Sequence, residues 1–162
     1  MISAVLLCLV VGISDGDTLT ARCPKGDAAH PYQQVKVLLA EIDAPESGKA
    51  FGARSKQLLS DLCYRVEATI RPTASDRYGR TVARVDCRGR DANLEMVRAG
   101  LAWAYTKHQT DPAFPRTEAT ARVARVGLWS APDQMPPWEF RHQPSTSAAD
   151  AHGCITGPKG GR

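Results

Sequence analysis

Ile42-Asp43-Ala44-Pro45-Glu46 decides the reading of this chain. It closes an apolar, branched run over residues 35–42 that has the composition of a strand, and it follows that run at once with two carboxylates and a proline. Pro45 cannot continue a ladder, so the chain must turn there and deliver Asp43 and Glu46 together at a strand end. Upstream, Asp15-Gly16-Asp17-Thr18 separates two further strand-like runs, residues 10–13 and 18–22, and reads as a hairpin turn. Downstream, Asp76-Arg77-Tyr78-Gly79-Arg80 lies in a long connection, 71–80, between strands expected over 66–70 and 81–86. The helical period appears over 50–62, in a short segment through Ala99 that Asp91 or Asn93 can cap, and over 115–126.

The residue types in these three motifs share a chemistry. Asp17 and Asp43 are hard oxygen ligands suited to Ca²⁺ or Mg²⁺, and the turn at Pro45 can aim the Ala44 carbonyl at the same ion. Glu46, three residues beyond Asp43, is placed to orient and deprotonate a water beside that ion. Arg80 supplies a planar pair of donors matched to phosphate oxygens.

In this order, and with Gly100-Leu101-Ala102 and Gly127-Leu128-Trp129-Ser130, the motifs resemble the staphylococcal (thermonuclease-type) nuclease family over roughly residues 10 to 130. The resemblance implies an α+β fold, a five-stranded OB-type β-barrel with three α-helices, and a Ca²⁺-dependent hydrolase that cuts DNA and RNA to leave 3′-phosphate ends. It implies Asp17, Asp43 and the Ala44 carbonyl as calcium ligands, Glu46 as general base, Arg80 as a catalytic arginine, and Arg77 and Tyr78 as contacts to substrate phosphates. Tyr105 lies near the family's substrate-side tyrosine. One position departs: where the family carries a second arginine, five residues before the second aspartate, this chain has Leu38. Lys36 is two residues away on the same strand face, roughly 7 Å along the chain, and offers a point charge in place of a guanidinium fork. A weakened nuclease is therefore expected. The alternatives are a catalytically silent OB module that binds nucleic acid and a scaffold with a protein partner, for which Leu38 would be apolar surface. Neither has a physical need for a carboxylate cluster facing phosphates.

The rest of the sequence sets bounds. At 162 residues the chain suits one domain, and 21 basic against 17 acidic residues, net +4, favour a polyanionic partner such as single-stranded nucleic acid. No Walker loop, Rossmann glycine pattern or serine-histidine-aspartate signature competes. Residues 1–13 are uncharged and apolar but too short for a membrane-spanning helix, and residues 1–9 can be a degenerate export signal or leader ahead of a domain over 10–140. Residues 141–162 read as a disordered tail, with Trp138 clamping the linker before it. Five cysteines lack metal-site spacing; in an exported protein, secreted or periplasmic, two of Cys23, Cys63 and Cys87 can pair, and otherwise Cys63 and Cys87 are small buried residues. Arg71 and Arg84 read as surface residues, and a monomer is the default.

Overall fold

The computed structural model describes residues 4–132 except 109, together with 134, 136, 138 and 139. The expected tail over 141–162, Cys154 with it, lies outside the described residues. Five long strands form a closed barrel: β1 (Leu6–Asp15), β2 (Thr18–Pro24), β3 (Tyr32–Leu39), β5 (Glu67–Ser75) and β6 (Thr81–Cys87). A short β4 (Ile42–Asp43) follows β3, β7 (Arg90–Asp91) pairs antiparallel with the end of β6, and β8 (Trp103–Ala104) pairs with β4. The antiparallel order runs β3-β2-β1-β5-β6, and a parallel pairing of β3 with β6, Leu38 opposite Val82, closes the cylinder. Closure removes the free edges that would otherwise need protection.

Period-2 alternation fixes which side chains fill the barrel. Val10, Leu19, Ala21, Val37, Leu39, Ile70, Ala83 and Val85 point inward and are essentially inaccessible. The helix α1 (Gly52–Cys63) covers one end through Ser55, Leu59 and Leu62, and α2 (Ala92–Arg98) and α3 (Ala113–Ala124) pack beside it around Met96, Val97 and Phe114. Asp91 caps α2 by accepting the Leu94 N–H at 3.0 Å. Asn93, the other candidate cap, is buried instead: its Oδ1 accepts the Val85 N–H, and its Nδ2 donates to the carbonyls of Ala40 and Ala83. It thereby ties β6 to the turn that leads into β4. Past α2 and α3, the backbones of Gly100 and Gly127 touch, and a Cβ on Gly127 would stand 2.4 Å from the Gly100 carbonyl oxygen. Only glycine permits that approach.

Several expectations shift. β1 begins at Leu6, so residues 6–9, read as the end of a leader, pair with β5, and Cys8 forms a disulfide with Cys23. A second disulfide joins Cys63 at the end of α1 to Cys87 in β6. Each cross-link restricts the unfolded chain by an amount worth about 3 kcal/mol for loops of this size. The connection expected over 71–80 is shorter, 76–80, because β5 continues through Pro72 to Ser75 with a register irregularity between Pro72 and Ala74. A proline survives in a strand where such a bulge spares the ladder. α3 starts at Ala113, ahead of Pro115, and the residue that ends it in the left-handed region is Arg125. Among the described residues no helix is long and apolar enough to cross a membrane.

Candidate functional site

The floor of the site is built by the β1–β2 turn and the end of β4. Gly16 lets that turn lie flat on α1, since a Cβ there would sit 1.8 Å from Ser55 Oγ, which itself donates to the Leu101 carbonyl at 2.7 Å. The next residue, Asp17, is 8% exposed. Its Oδ2 accepts the Ala44 N–H at 3.0 Å and its Oδ1 accepts the Thr18 hydroxyl at 2.9 Å, while the Asp43 carboxyl bonds to it from β4. Burial pushes the Asp17 carboxyl above the ordinary 3.8, and the charge of Asp15 adds to that; the three hydrogen bonds oppose the rise without cancelling it. The loop after β4 is held to the same turn by Ser47, whose N–H and hydroxyl reach Asp15 Oδ1 at 3.1 and 2.6 Å. Gly52 then passes so close to the Glu46 carbonyl, 1.9 Å from a would-be Cβ, that Glu46 is fixed on the rim with its side chain exposed.

The opposite rim is the β5–β6 hairpin. Asp76 organises it: Oδ1 accepts the N–H groups of Tyr78 and Arg80, each at 2.9 Å, and Oδ2 accepts Arg80 Nε at 2.6 Å. Desolvation acts to raise the Asp76 carboxyl, but the hydrogen bonds and charge of Arg80, with the Tyr78 N–H, outweigh it and hold the group below the ordinary range. Gly79, at φ 78°, completes the turn. Tyr78 is 70% exposed, its ring flanked by the guanidinium groups of Arg77 at 5.0 Å and Arg80 at 5.7 Å.

Between floor and rim lies a cleft of about 690 Å³, lined by Asp17, Asp43, Ala44, Glu46, Arg80 and Tyr105 among others. The structure thus brings together six of the residues expected from sequence. Tyr105 also meets the Trp138 ring edge-on at 5.2 Å, as expected of a clamp on the linker. Leu38 lines the cleft as well, half-buried between its strand neighbours Thr18 and Val82. Lys36 does not reach it: with Tyr78 it lines an adjoining groove, which Arg80 borders too. Arg77 lines neither, and approaches the site only through the ring of Tyr78.

Sequence reasoning missed the acids Glu41, Asp91 and Asp111 that gather on Arg84. Glu41 Oε1 accepts from the N–H and hydroxyl of Thr110 at 2.5 and 2.9 Å and from the Asp111 N–H at 2.7 Å, which holds Thr110 at the cleft wall. Behind it Arg84, only 24% exposed, reaches Asp91, Asp111 and Glu41 and lies over the Phe114 ring. Burial works against its charge, but the hydrogen bonds to Asp91 and Asp111 push its guanidinium pKa up. The surface reading of Arg84 is therefore corrected. Two of its three partners, Glu41 and Asp111, come from distant segments, so no local motif announced it. The clamp of Ser47 on Asp15 was missed for the same reason.

Among the described residues no group of three or more histidine, cysteine, aspartate or glutamate side chains forms a metal cage. The donor set at the floor is nevertheless of the right kind for a hard divalent cation: two bonded carboxyls, one of them costly to ionise where it lies, in a cleft that Ala44 also lines.

Comparison with known proteins agrees with this geometry. The sequence profile described as "Staphylococcal nuclease homologue" matches residues 36–131. An uncharacterized endonuclease of Haemophilus influenzae is 42% identical over 142 residues, covering 88% of this chain and 76% of the relative. A micrococcal nuclease of Shigella flexneri is 41% identical over 143 residues, covering 82% and 78%, and Protein ParB of Escherichia coli is 39% identical over 145, covering 83% and 78%. A closed barrel with three helices, a shared cleft of carboxylates and an arginine, and similarity along most of its length place this chain in the staphylococcal nuclease family.

Proposed function

We propose that the protein is a nuclease of the Ca²⁺-dependent type that hydrolyses phosphodiester bonds of single-stranded DNA or RNA, at a rate limited by Leu38. The observation that carries this reading is the convergence of Asp17, Asp43, Glu46 and Arg80 from three separate segments on one cleft. Relatives named as endonuclease and micrococcal nuclease support it. Asp17, Asp43 and the Ala44 carbonyl would hold the ion, which when bound would polarise a phosphoryl oxygen and offset the charge developing there. Glu46, on the rim, takes the proton of the attacking water. Arg80 donates to the phosphate from the opposite side, and Tyr78 and Arg77 border the path of the strand. Tyr105 walls the cleft beyond Arg80.

Arg80 is the one cation lining the cleft among the described residues. A second guanidinium at position 38 would face the same phosphate, and loss of one aligned donor commonly costs about 10² to 10³ in rate. Lys36 opens on the adjoining groove and does not replace it. The two buried disulfides favour an oxidising setting, hence a secreted or periplasmic protein.

The test is cleavage of a labelled single-stranded DNA with Ca²⁺ and with chelator, by the parent, Glu46→Ala and Leu38→Arg. Metal-dependent cutting that is lost in Glu46→Ala and raised in Leu38→Arg is the expected result. A parent that binds but does not cut, and that Leu38→Arg does not rescue, would replace this reading by a silent nucleic-acid-binding barrel.

A further inference from the structure

The adjoining groove continues away from the cleft along the outside of the barrel. On β3 the inward residues are Val37 and Leu39, so Leu38, Lys36, Gln34 and Tyr32 all face outward on one line. Across the ladder on β2, Thr20 stands opposite Lys36 and Arg22 opposite Gln34. Arg22 lies over the Tyr32 ring at 4.7 Å, and that ring is 55% exposed. The line therefore begins at the cleft wall with Leu38, carries a lysine, and ends in an exposed aromatic with an arginine on its face. The Tyr78 platform with its two arginines stands at the other side of the same groove. From Leu38 to Tyr32 the strand covers roughly 20 Å.

We propose that this outer face of β2 and β3, anchored by Lys36, Arg22 and Tyr32, is a second subsite that carries the single strand onward from the cleavage cleft. It rests on the nucleic-acid-binding half of the function proposed above. A cationic track with exposed rings at intervals is what an unpaired strand requires: side-chain charges follow the phosphates, and unstacked bases lie on the aromatic faces. From the cleft to Lys36 and Gln34 the path is continuous, because Arg80 borders both the cleft and the groove; Arg22 and Tyr32 lie past the groove's lining on the same strand face, with Arg22 opposite Gln34. The subsite gives the enzyme a reason to prefer long unpaired substrates to short ones.

Fluorescence anisotropy tests it with labelled oligothymidylates of about 16 and about 4 nucleotides, in chelator so that nothing is cut. Arg22→Ala and Tyr32→Ala are expected to weaken binding of the longer strand by about 5- to 10-fold, with much smaller losses for the shorter one, while Tyr32→Phe, which keeps the ring, binds as the parent does. Arg22→Ala should also lower the salt slope by about 0.7, one phosphate's share for a single strand. Arg90→Ala, whose guanidinium pairs with Glu95 beside α2, serves as a control and should bind unchanged. Losses under about 2-fold for the longer strand, or equal losses for both lengths, would overturn the track. A parent that binds in a Tyr32-dependent way yet never cuts would overturn the nuclease reading and leave the track standing.

Discussion

The floor and the rim of the cleft each carry an aspartate, and the protein treats them in opposite ways. Asp17 is buried beside Asp43 with Asp15 nearby, and its carboxyl is pushed up. Asp76 sits on the open hairpin wrapped by two N–H groups and a guanidinium, and its carboxyl is held down. The floor gathers carboxyls in a desolvated place, which makes the charge of Asp17 costly. The rim is balanced already, with the site arginine sharing its charge with Asp76. On the function proposed above, the first arrangement would be completed by a bound cation, and the second would give a rigid, pre-aimed donor at the cost of some of its pull on a phosphate.

The comparison is most easily broken at the floor. Asp17→Asn removes one expected ligand with little change of shape, and the Lewis-acid contribution at stake is several kcal/mol, so Ca²⁺-dependent cleavage should fall by at least about 10³-fold in a single-turnover assay. Survival of activity would mean the floor is not where the ion acts. Arg80→Ala comes next, with an expected loss of about 10² to 10³ in kcat for the same oligonucleotide. A change in KM alone would show the rim to be a binding element only.

Smaller effects sharpen the contrast through its sign. For Asp17 the folded carboxyl lies above its unfolded value, so the favourable contribution exists below the unfolded pKa and is lost as pH rises through the folded one. In chelator, Asp17→Asn should therefore melt higher than the parent at neutral pH, with the gain shrinking in acid. For Asp76 the folded carboxyl lies below its unfolded value, so stability is present above the unfolded pKa and is lost as pH falls through the folded one. Asp76→Asn should melt lower at neutral pH, with the deficit closing in acid. Thermal melts of both variants across pH settle it, and equal signs would dissolve the distinction between floor and rim. Least of all, Ser47→Ala should cost about 1 kcal/mol in urea titrations, the worth of a hydroxyl bond to the Asp15 carboxylate.

What the sequence made legible were the features encoded locally. The Asp15-Gly16 turn, the stop after α2 at Gly100 and the body of the strand ahead of Asp43 each follow from a few neighbouring residues, although that strand, expected over 35–42, ends at Leu39 and breaks at Ala40-Glu41, with Glu41 at φ 66°, before β4. What stayed hidden depends on segments far apart in the chain. The parallel pairing of β3 with β6 joins residues more than forty apart and places Leu38 against Val82. Arg84 looks like any strand arginine until α2 and the 110–111 turn bring Asp91 and Asp111 to it. β5 runs on past Ile70 through Pro72, into the connection expected over 71–80, because a bulge accommodates the proline, and the apolar run around Cys8 has the composition of a leader as much as of the strand that Cys23 ties down. Lys36 was placed on the correct face of β3 but one groove too near the cleft, because a strand face does not say where its neighbouring hairpin stands.

The hairpin that carries Arg80 lies between Cys63 and Cys87 in the chain, and its tip at Tyr78 stands well out in solvent. Such tips are where proteases cut. A nick there would sever the backbone while the disulfide kept both halves in one particle of unchanged mass apart from an added water. The damage would appear as two fragments only after reduction, so an inactive preparation of this protein can look intact on a non-reducing gel.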